Sequence, residues 1–341
     1  MMGKVVLGLS GGVDSSEAAR RLLEAGHEVL GLWLDLGFGS PAAAERTARE
    51  LGIPFRVFDA AEAHERLVRG PFGEAYRAGL TPNPCAMCNP RVKLPSLLAA
   101  AEDWGAEYVA TGHYARTERG ADGRVHLLAS GGRKDQSYML ALLSQEQLGR
   151  LLLPLSGLEK GEVKAAAATA GLGAAGEKES QDICFIPDGD YGAWLESRGL
   201  RLPEGDFVDA AGRVLGRHKG LHRYTIGQRR GLGVSAESRL YVAELRRETN
   251  EILLTPRADL DTREVPVRDL NWVSVPERKE AFLTEVKLRS GPRKTAALAE
   301  PRADGSLLLH FDEPVRRPAP GQLAVGYEGD LLLFGGTICR E

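Results

Sequence analysis

The chain has 341 residues, of which 43% are hydrophobic and 27% charged, and its formal net charge is −3. This composition is typical of a globular protein with room for two or three domains, and it disfavours a protein that coats nucleic acid through net charge alone, although it allows a local basic face. The sequence has no run of 18 apolar residues and no signal-peptide layout at its start, so we expect a cytoplasmic protein without a membrane span.

The first half of the sequence alternates short apolar runs with amphipathic stretches. Strands are predicted at residues 4–10, 27–34, 53–59 and 106–114. Helices are predicted between them, over 14–25 and over the stretches AAAERTARELG and KLPSLLAAAEDWG. This alternation favours a doubly wound α/β fold with a parallel sheet, in which ligands bind at the carboxyl ends of the strands.

The second half of the sequence changes character twice. Residues 135–197 show helical spacing, first in QSYMLALLSQEQLGRLL and then in GEVKAAAATAG. From about residue 198, short strands with glycine turns follow, and the segment 263–341 alternates with a period of two, which predicts a small β-barrel. We therefore expect three domains: residues 1–197, a small mixed central domain at 198–262, and the barrel at 263–341.

A glycine-rich loop, SGGVDS at 10–15, stands between the first predicted strand and the first predicted helix. Gly11 and Gly12 let the backbone approach a phosphate closely, and the helix start offers free N–H groups and the positive end of a dipole. The serines add hydroxyl donors. The loop matches neither the GxxxxGK[ST] nor the GxGxxG pattern, so it predicts phosphate binding of another type.

The chain has four cysteines: Cys85, Cys88, Cys184 and Cys339. The first two lie in the loop TPNPCAMCN at 81–89, and few cysteines with one CxxC pattern indicate metal binding or catalysis rather than structural disulfides in a reducing compartment. The pattern alone leaves a metal site, a redox pair and a nucleophile open. We expect no role for Cys339, which lies close to the end of the chain.

These motifs together resemble a known enzyme family. SGGVDS is similar to the pyrophosphate loop of the N-type ATP pyrophosphatases. With TPNPxxxCN, TGHYAR (111–116), GRKDQSYML (132–140), SQDICF (180–185) and HRYTIGQRRGLG (222–233), the chain resembles the tRNA-specific 2-thiouridylases over residues 4–335. The resemblance implies an adenine nucleotide alpha hydrolase-like catalytic domain, a central domain that binds tRNA, adenylation of a uracil oxygen by ATP, and sulfur transfer to C2 of the wobble uridine.

The resemblance implies an ATP site in the first domain. Asp14 is expected to help hold Mg²⁺ at the phosphates. The positions that align with ATP contacts are Gly8, Leu9, Ser10, Gly11, Gly12, Val13, Asp14, Ser15, Leu34 and Gly112.

The resemblance also assigns the cysteines. Cys88 aligns with the family's nucleophile and Cys184 with the cysteine that carries a persulfide, so a Cys88–Cys184 disulfide is expected after turnover; in another reading, released hydrosulfide attacks instead. Cys85 stands where many members have Asp. Three thiolates at Cys85, Cys88 and Cys184 allow a [4Fe–4S] cluster with one open iron as an alternative, and structural zinc, with His113 as the available fourth ligand, as a third.

A basic segment at 217–233 carries Arg223, Arg229 and Arg230, and basic side chains of this kind supply phosphate contacts to nucleic acid. The resemblance adds positions that border the target base or contact tRNA. The tRNA-binding set is Asn83, Pro84, His113, Lys134, Asp135, Gln136, Arg223, Arg229, Arg230, Arg289 and Gln322. The expected partners are a tRNA with a wobble uridine and a sulfur donor, either a cysteine desulfurase or a sulfur-relay protein, and we expect a monomer.

Three other functions remain open from the sequence. A different ATP pyrophosphatase, such as an amidotransferase-coupled synthetase, would need neither the cysteines nor RNA. A non-catalytic tRNA-binding protein would keep the basic segment but not SGGVDS. An enzyme that places sulfur on another base usually carries cysteine pairs with a different spacing.

Overall fold

The computed structural model describes residues 3–176, 183–236 and 238–340. The first three positions of the SQDICF motif, 180–182, lie outside the described residues. Within the described ranges, no helix has both the length and the apolar character that crossing a membrane requires.

The first domain is built on a parallel sheet. The strands of this half of the chain are β1 (Lys4–Gly8), β2 (Glu28–Asp35), β3 (Phe55–Asp59), β4 (Tyr108–Ala110), β5 (Ala115–Arg119), β6 (Val125–Ala129) and β7 (Leu151–Leu152). Strands β3, β2, β1, β4 and β7 lie side by side in this order, and every pair is parallel. Val5, Val6 and Leu7 of the central strand β1 are fully buried, as expected for a strand covered on both faces. The predicted α/β fold is confirmed.

Helices cover both faces of the sheet. They are α1 (Val13–Glu24), α2 (Ala42–Leu51), α3 (Ala61–His64), α4 (Gly70–Arg77), α5 (Pro84–Cys88), α6 (Leu94–Trp104), α7 (Gln145–Arg150), α8 (Lys160–Thr169) and α9 (Tyr191–Ser197). Helices α1, α2 and α8 share one core with β1, whereas α6 packs into a second core on the other face. Gly52 and Gly105 end α2 and α6 in the left-handed conformation that favours glycine.

Two helices contain a π-helical turn. Residues Glu65–Arg69 join α3 to α4, and residues Asn89–Lys93 join α5 to α6. A π turn inserts one residue into the helical repeat and is frequent at functional sites. Both turns lie beside the cysteine loop, and the sequence did not predict either of them.

The predicted helix over QSYMLALLSQEQLGRLL is wrong. Residues Ser137–Leu140 form a 3₁₀ turn, α7 begins only at Gln145, and the segment ends in β7. Ser144 and Gln147 form a reciprocal capping box that starts α7 anew. The apolar spacing arises because Tyr138 and its neighbours pack against the barrel, where the Tyr138 hydroxyl donates to the Leu323 carbonyl at 3.0 Å.

The rest of the chain forms two β units: a mixed central sheet, in which β11 and β8 are parallel and the outer pairs antiparallel, and an antiparallel barrel, as predicted. The central sheet has the order β10, β11, β8, β9, and it comprises β8 (Gly205–Val208), β9 (Val214–His218), β10 (Leu240–Arg246) and β11 (Glu251–Pro256). The barrel comprises β12 (Asp261–Trp272), β13 (Phe282–Lys287), β14 (Thr295–Pro301), β15 (Leu307–Arg316), β16 (Leu323–Glu328) and β17 (Leu331–Ile338). Pairing of β12 with both β15 and β17 closes it.

The barrel is fixed to the first domain. The hairpin β5–β6 comes from the first domain, yet it joins the barrel sheet through the pairing of β6 with β17. A buried ion pair joins Lys287 Nζ to Asp135 Oδ2 at 2.7 Å, with side-chain exposures of 3% and 10%. Gln322 Nε2 donates to the Thr81 carbonyl at 2.8 Å, next to the cysteine loop. These contacts place the barrel beside the carboxyl edge of the parallel sheet.

Candidate active site

A cleft of about 550 Å³ lies at the carboxyl ends of β1, β2 and β4. This is where ligands bind in doubly wound sheets. Its wall brings together the glycine-rich loop, the end of β2 around Leu34, the segment that follows β4, and the cysteine loop. The residues that line this cleft include Ser10, Asp14, Leu34, His64, Pro84, Cys85, Cys88, Lys93, Gly112, His113, Gln136 and Cys184.

The glycine-rich loop leads directly into α1. Gly11 has φ +82°, and a Cβ on it would lie 2.6 Å from backbone atoms of Ala43 and Ala44, so only glycine fits there. Gly12 is the N-cap of α1, and no side chain caps its first N–H groups. Ser15 Oγ donates to the Gly12 carbonyl at 3.0 Å and lies 3.1 Å from Ser10 Oγ. The start of α1 therefore presents donors and a positive dipole end to the cleft.

Gly112 brings the segment after β4 against this loop. A Cβ on Gly112 would lie 2.9 Å from Asp14 C and from Ser15 N. A side chain at this position would therefore push into the backbone of the glycine-rich loop. The close approach of the two segments explains why the structure needs glycine here.

Asp14 is held by three neighbours. Its Oδ1 accepts a hydrogen bond from the Tyr114 hydroxyl at 2.6 Å and lies 2.5 Å from Lys160 Nζ, while its Oδ2 lies 3.6 Å from Lys134 Nζ. Burial and the Asp14 carboxylate both raise the pKa of Tyr114, which therefore stays protonated and donates. Lys160 was not singled out in the sequence, because it reads there only as the first residue of an ordinary helix.

The cysteine loop forms the short helix α5. The side chain of Asn83 caps it by accepting a hydrogen bond from Ala86 N at 3.1 Å, and Pro84 occupies the first helical position. Cys85 is exposed to the cleft, whereas Cys88 at the helix end is buried. Cys184 reaches the same cleft from the turn after residue 183, and all of these cysteines are free.

Desolvation by the cleft walls has the largest effect on the protonation of the thiols, including those of Cys85 and Cys184, which keep exposed surface. Burial raises the pKa of Cys85 and of Cys88, and it raises the pKa of Cys184 to about 11, with the neighbouring cysteines adding to the effect. The positive charge of Lys93 opposes this shift at each of the three thiols. Most of the cysteine sulfur is therefore neutral at pH 7, and a thiolate needs further stabilisation before it can attack.

Two histidines line the cleft in the neutral form. Burial, together with the charge of Lys93, lowers the pKa of His113 to about 3, and His113 Nδ1 lies 2.8 Å from Thr111 Oγ1. Burial also lowers the pKa of His64 to about 4. The ring of His64 packs edge-on against Phe38 and Phe185, and neither of its nitrogens has a hydrogen-bond partner among the described residues. His64 was not predicted from the sequence.

The cysteines do not form a metal-binding arrangement. Among the described residues, no group of three or more His, Cys, Asp or Glu side chains is placed to hold a metal ion. The donor geometry therefore supports neither the [4Fe–4S] alternative at Cys85, Cys88 and Cys184 nor the zinc alternative. We derive no step through either group.

Comparison with known proteins identifies the family. Three family models match the chain in order: a tRNA methyl transferase HUP domain over residues 3–188, a tRNA methyl transferase PRC-barrel domain over 195–256, and an aminomethyltransferase beta-barrel domain over 262–338. A tRNA-specific 2-thiouridylase MnmA of Chloroflexus aurantiacus is 43% identical, covering 99% of both chains. That of Geobacter metallireducens is 41% identical, covering 98% of this chain and 96% of the relative. This chain belongs to the tRNA-specific 2-thiouridylase MnmA family.

The resemblance to the MnmA family predicts positions for tRNA contact. At several of these positions the side chain binds other residues of this chain. Asp135 pairs with Lys287 and accepts from Ser137, and Gln136 Oε1 accepts from Tyr114 N at 3.1 Å. Arg223 Nε donates to Glu196 Oε1 at 2.8 Å. For these positions the side chains support the shape of the surface, and their contact with tRNA stays a prediction.

Other predicted positions of the MnmA set face outward. Arg229, Arg230 and Arg289 are exposed to solvent. Lys134 lies beside Asp14 rather than out on the surface, and its ammonium is 5.5 Å from the centre of the Tyr114 ring. Its position suits a phosphate of ATP as well as it suits tRNA.

Proposed function

We propose that this protein is an ATP-dependent tRNA-uridine 2-sulfurtransferase that forms 2-thiouridine at the wobble position. The observation that carries the proposal is a single cleft lined by both the phosphate loop and three free cysteines. A thiolation enzyme needs both elements in one place, because the nucleotide activates the carbon that sulfur attacks. An amidotransferase-coupled synthetase would use the glycine-rich loop to bind ATP, but its reaction would not require the cysteine thiols.

ATP would bind with its phosphates at the start of α1 and its adenine near the end of β2. The proposal is supported by the lining of the cleft, to which Leu34 and Gly112 contribute together with the loop residues Gly8, Leu9, Ser10, Asp14 and Ser15. Asp14 is the one carboxylate lining the cleft among the described residues, so it would hold Mg²⁺ together with the phosphates of ATP. Bound Mg²⁺ would neutralise phosphate charge, and Lys160 and Lys134 are placed to share that task.

The reaction would proceed in three displacements. The C2 oxygen of the uracil attacks the α-phosphorus of ATP, a P–O bond breaks, and pyrophosphate leaves. The terminal sulfur of a Cys184 persulfide then attacks C2, the C2–O bond breaks, and AMP leaves. The Cys88 thiolate next attacks Sγ of Cys184, the S–S bond to the transferred sulfur breaks, and the uracil keeps that sulfur.

This sequence leaves a Cys88–Cys184 disulfide, so each cycle needs an external dithiol as reductant. It also needs a persulfide-carrying donor, a cysteine desulfurase or sulfur-relay protein, to recharge Cys184. In this reading Cys85 is not required for chemistry. His113, with a pKa of about 3, is too weak a base to accept the released proton at neutral pH and serves instead as a neutral hydrogen-bonding group near the base.

The tRNA would lie across the cleft mouth. Exposed positive charge for its phosphates would come from Arg229, Arg230 and Arg289. An unstacked base would enter the cleft beside Asn83 and Pro84.

We place the working enzyme in the cytoplasm as a monomer. We divide it into a catalytic domain at 1–197, a central domain at 198–262 and a barrel at 263–341.

The test is an anaerobic thiolation assay with ATP, a sulfur source and unmodified tRNA, with iron and acid-labile sulfide measured in the same sample. We expect 2-thiouridine from iron-free protein. Cys88→Ala and Cys184→Ala should abolish the product, whereas Cys85→Ala should retain it. Cys339→Ala is the matched control, because Cys339 lies at the end of the barrel and outside the cleft.

Each contrary outcome has a distinct meaning. Product formed only by iron–sulfur-loaded protein, and lost in Cys85→Ala, would establish the cluster alternative. Pyrophosphate release without tRNA, and without any thiol requirement, would indicate a different ATP pyrophosphatase. Methylated tRNA formed with S-adenosylmethionine in place of ATP would support the methyl transferase activity after which two of the matching domain families are named, and would refute thiolation.

A further inference from the structure

Lys93 is a cation of the cleft that neither the sequence motifs nor the family resemblance singled out. It is the only lysine or arginine lining the cleft among the described residues, and it is half-buried. Its ammonium makes no hydrogen bond or ion pair with any other residue in the described ranges. A partly buried charge without a counter-ion is costly, so an anion bound in the cleft would satisfy it.

The π turn at Asn89–Lys93 brings this lysine to the cysteines. Leu94 N–H donates to the Asn89 carbonyl five residues back, as π geometry requires. In a regular α-helix, position 92 would lie one turn after Cys88, whereas the wider π turn brings position 93 there. The backbone amide and the charge of Lys93 both oppose the rise in the pKa of the Cys88 thiol. The local geometry therefore ties Lys93 to the sulfur side of the cleft.

The groups around Lys93 are neutral at pH 7. Its charge acts on Cys85 and Cys88 from α5, on Cys184 from the turn after residue 183, on His113 after β4 and on His64 at the end of α3. The carboxylate of the cleft, Asp14, is already paired with Lys160. No acidic side chain lining the cleft in the described ranges is therefore left to balance Lys93.

Two anions could occupy this position: a phosphate of ATP or an anionic sulfur. The phosphate end of the cleft already has the start of α1, Lys160 and Lys134. At the cysteine end, Lys93 is the only cationic side chain among the described residues that line the cleft. We propose that Lys93 is the counter-ion of the sulfur nucleophile and stabilises the sulfur anion on Cys184 and then on Cys88 during transfer; this inference rests on the proposed thiolation.

Lys93 does not change which bonds form and break during sulfur transfer. The negative charge begins on the terminal persulfide sulfur, passes to the uracil as C2–S forms, and leaves with AMP as C2–O breaks. Lys93 keeps its proton throughout and forms no covalent bond. Its contribution is to raise the fraction of sulfur that is anionic at neutral pH, which burial otherwise keeps low.

The test compares Lys93→Gln, Lys93→Arg and Arg91→Gln. Arg91 is the matched control, because it belongs to the same π turn but is exposed and does not line the cleft. Three quantities are measured on each variant: pyrophosphate release with tRNA, thiouridine formed in a single turnover, and alkylation of each cysteine by iodoacetamide as a function of pH. Alkylation of Cys339 serves as an internal reference for correct folding.

We expect Lys93→Gln to slow alkylation of Cys88 and Cys184 at pH 7.5 by about tenfold, and thiolation by at least about as much, because the variant removes a positive charge from the cleft that these thiols line. Pyrophosphate release should stay within about twofold, Lys93→Arg should recover most of the loss, and Arg91→Gln should behave as the unaltered protein does.

Pyrophosphate release that falls in parallel with thiolation would overturn the proposal and assign Lys93 to the phosphates. Unchanged alkylation of both cysteines would overturn it as well. If the unaltered protein makes no thiouridine, the proposed function fails, and the alkylation profiles still decide whether Lys93 stabilises anionic sulfur.

Discussion

Replacement of Gly112 by Ala should damage ATP binding more than it damages folding. The added Cβ would lie 2.9 Å from Asp14 C and Ser15 N and 3.0 Å from Asp14 O, all of them backbone atoms of the phosphate loop. Ordinary van der Waals contact begins near 3.4 Å, so the two segments must separate by about half an ångström. The side chain cannot rotate away from this contact, because the Cβ position is fixed by the backbone.

The size of the effect follows from where this displacement occurs. Overpacking of this kind costs roughly 1–3 kcal/mol, some of it taken up by movement of the loop. A loop moved by half an ångström loses the alignment of its N–H donors with a phosphate, and a loss of about 1.4 kcal/mol there already means tenfold weaker binding. We expect the Kd of ATP to rise at least about tenfold while the protein remains folded.

The assay is calorimetric titration with ATP and Mg²⁺, accompanied by thermal unfolding. The matched control is Gly149→Ala, because Gly149 lies in α7 and a Cβ there would meet nothing within 4 Å. This control should bind ATP normally and be as stable as the unaltered protein, or slightly more stable, as expected for alanine in a helix. Normal ATP affinity of Gly112→Ala would refute the inference that this glycine sets the shape of the phosphate loop.

Three further predictions concern charged and titratable groups. Lys160→Met should weaken ATP binding about tenfold by removing a cation that lies beside Asp14 and would neutralise phosphate charge, and titration showing unchanged affinity would contradict this. His64→Phe should flatten the pH dependence of stability. The pKa of His64 is about 4 in the folded protein, whereas its ordinary value is 6.5. The unfolded state therefore binds the proton first, and stability is lost as the pH falls from 6.5 to 4. The difference in unfolding free energy between pH 7 and pH 4.5 should shrink by about 2–3 kcal/mol in urea titrations, and a parallel shift at both pH values would argue against it. Lys287→Met should cost about 3–5 kcal/mol in denaturant unfolding by leaving Asp135 buried and unpaired, with partial recovery in the double variant that adds Asp135→Asn, and a loss below 1 kcal/mol would contradict the role of this pair.

Sequence patterns predicted the parallel sheet because its strands carry a strong local signal. The central strand β1 is a short apolar run bounded by glycines, and its burial on both faces explains that run. The hairpin β5–β6 gave no such signal, because ARTER is polar and its partner sheet lies far along the chain in the barrel. The false helix over 136–152 has the same cause, since its apolar residues pack against the barrel and not along one helical face.

The candidate site was predictable where its chemistry is concentrated in motifs. The glycine-rich loop and the cysteine loop stand out in the sequence, and the fold brings both to one cleft. Lys93 and Lys160 do not stand out, because each is a lysine at the edge of an ordinary helical stretch. Lys93 depends on a π turn, and Lys160 on contact between the start of α8 and the start of α1. Neither of these features has a sequence signature.

The two lysines give the cleft its electrostatic order. A displacement at C2 of the uracil needs an anionic leaving group on one side of the carbon and an anionic nucleophile on the other. In the proposed reaction, Lys160 and the start of α1 would serve the phosphate side, and Lys93, which lines the cleft with the cysteines, would serve the sulfur side. Because burial keeps the cysteine thiols mainly neutral, a single cation near them governs how much sulfur can react at a given pH. It follows that removing either lysine should separate the two half-reactions: loss of Lys160 should slow adenylation first, and loss of Lys93 should leave adenylation running without sulfur transfer.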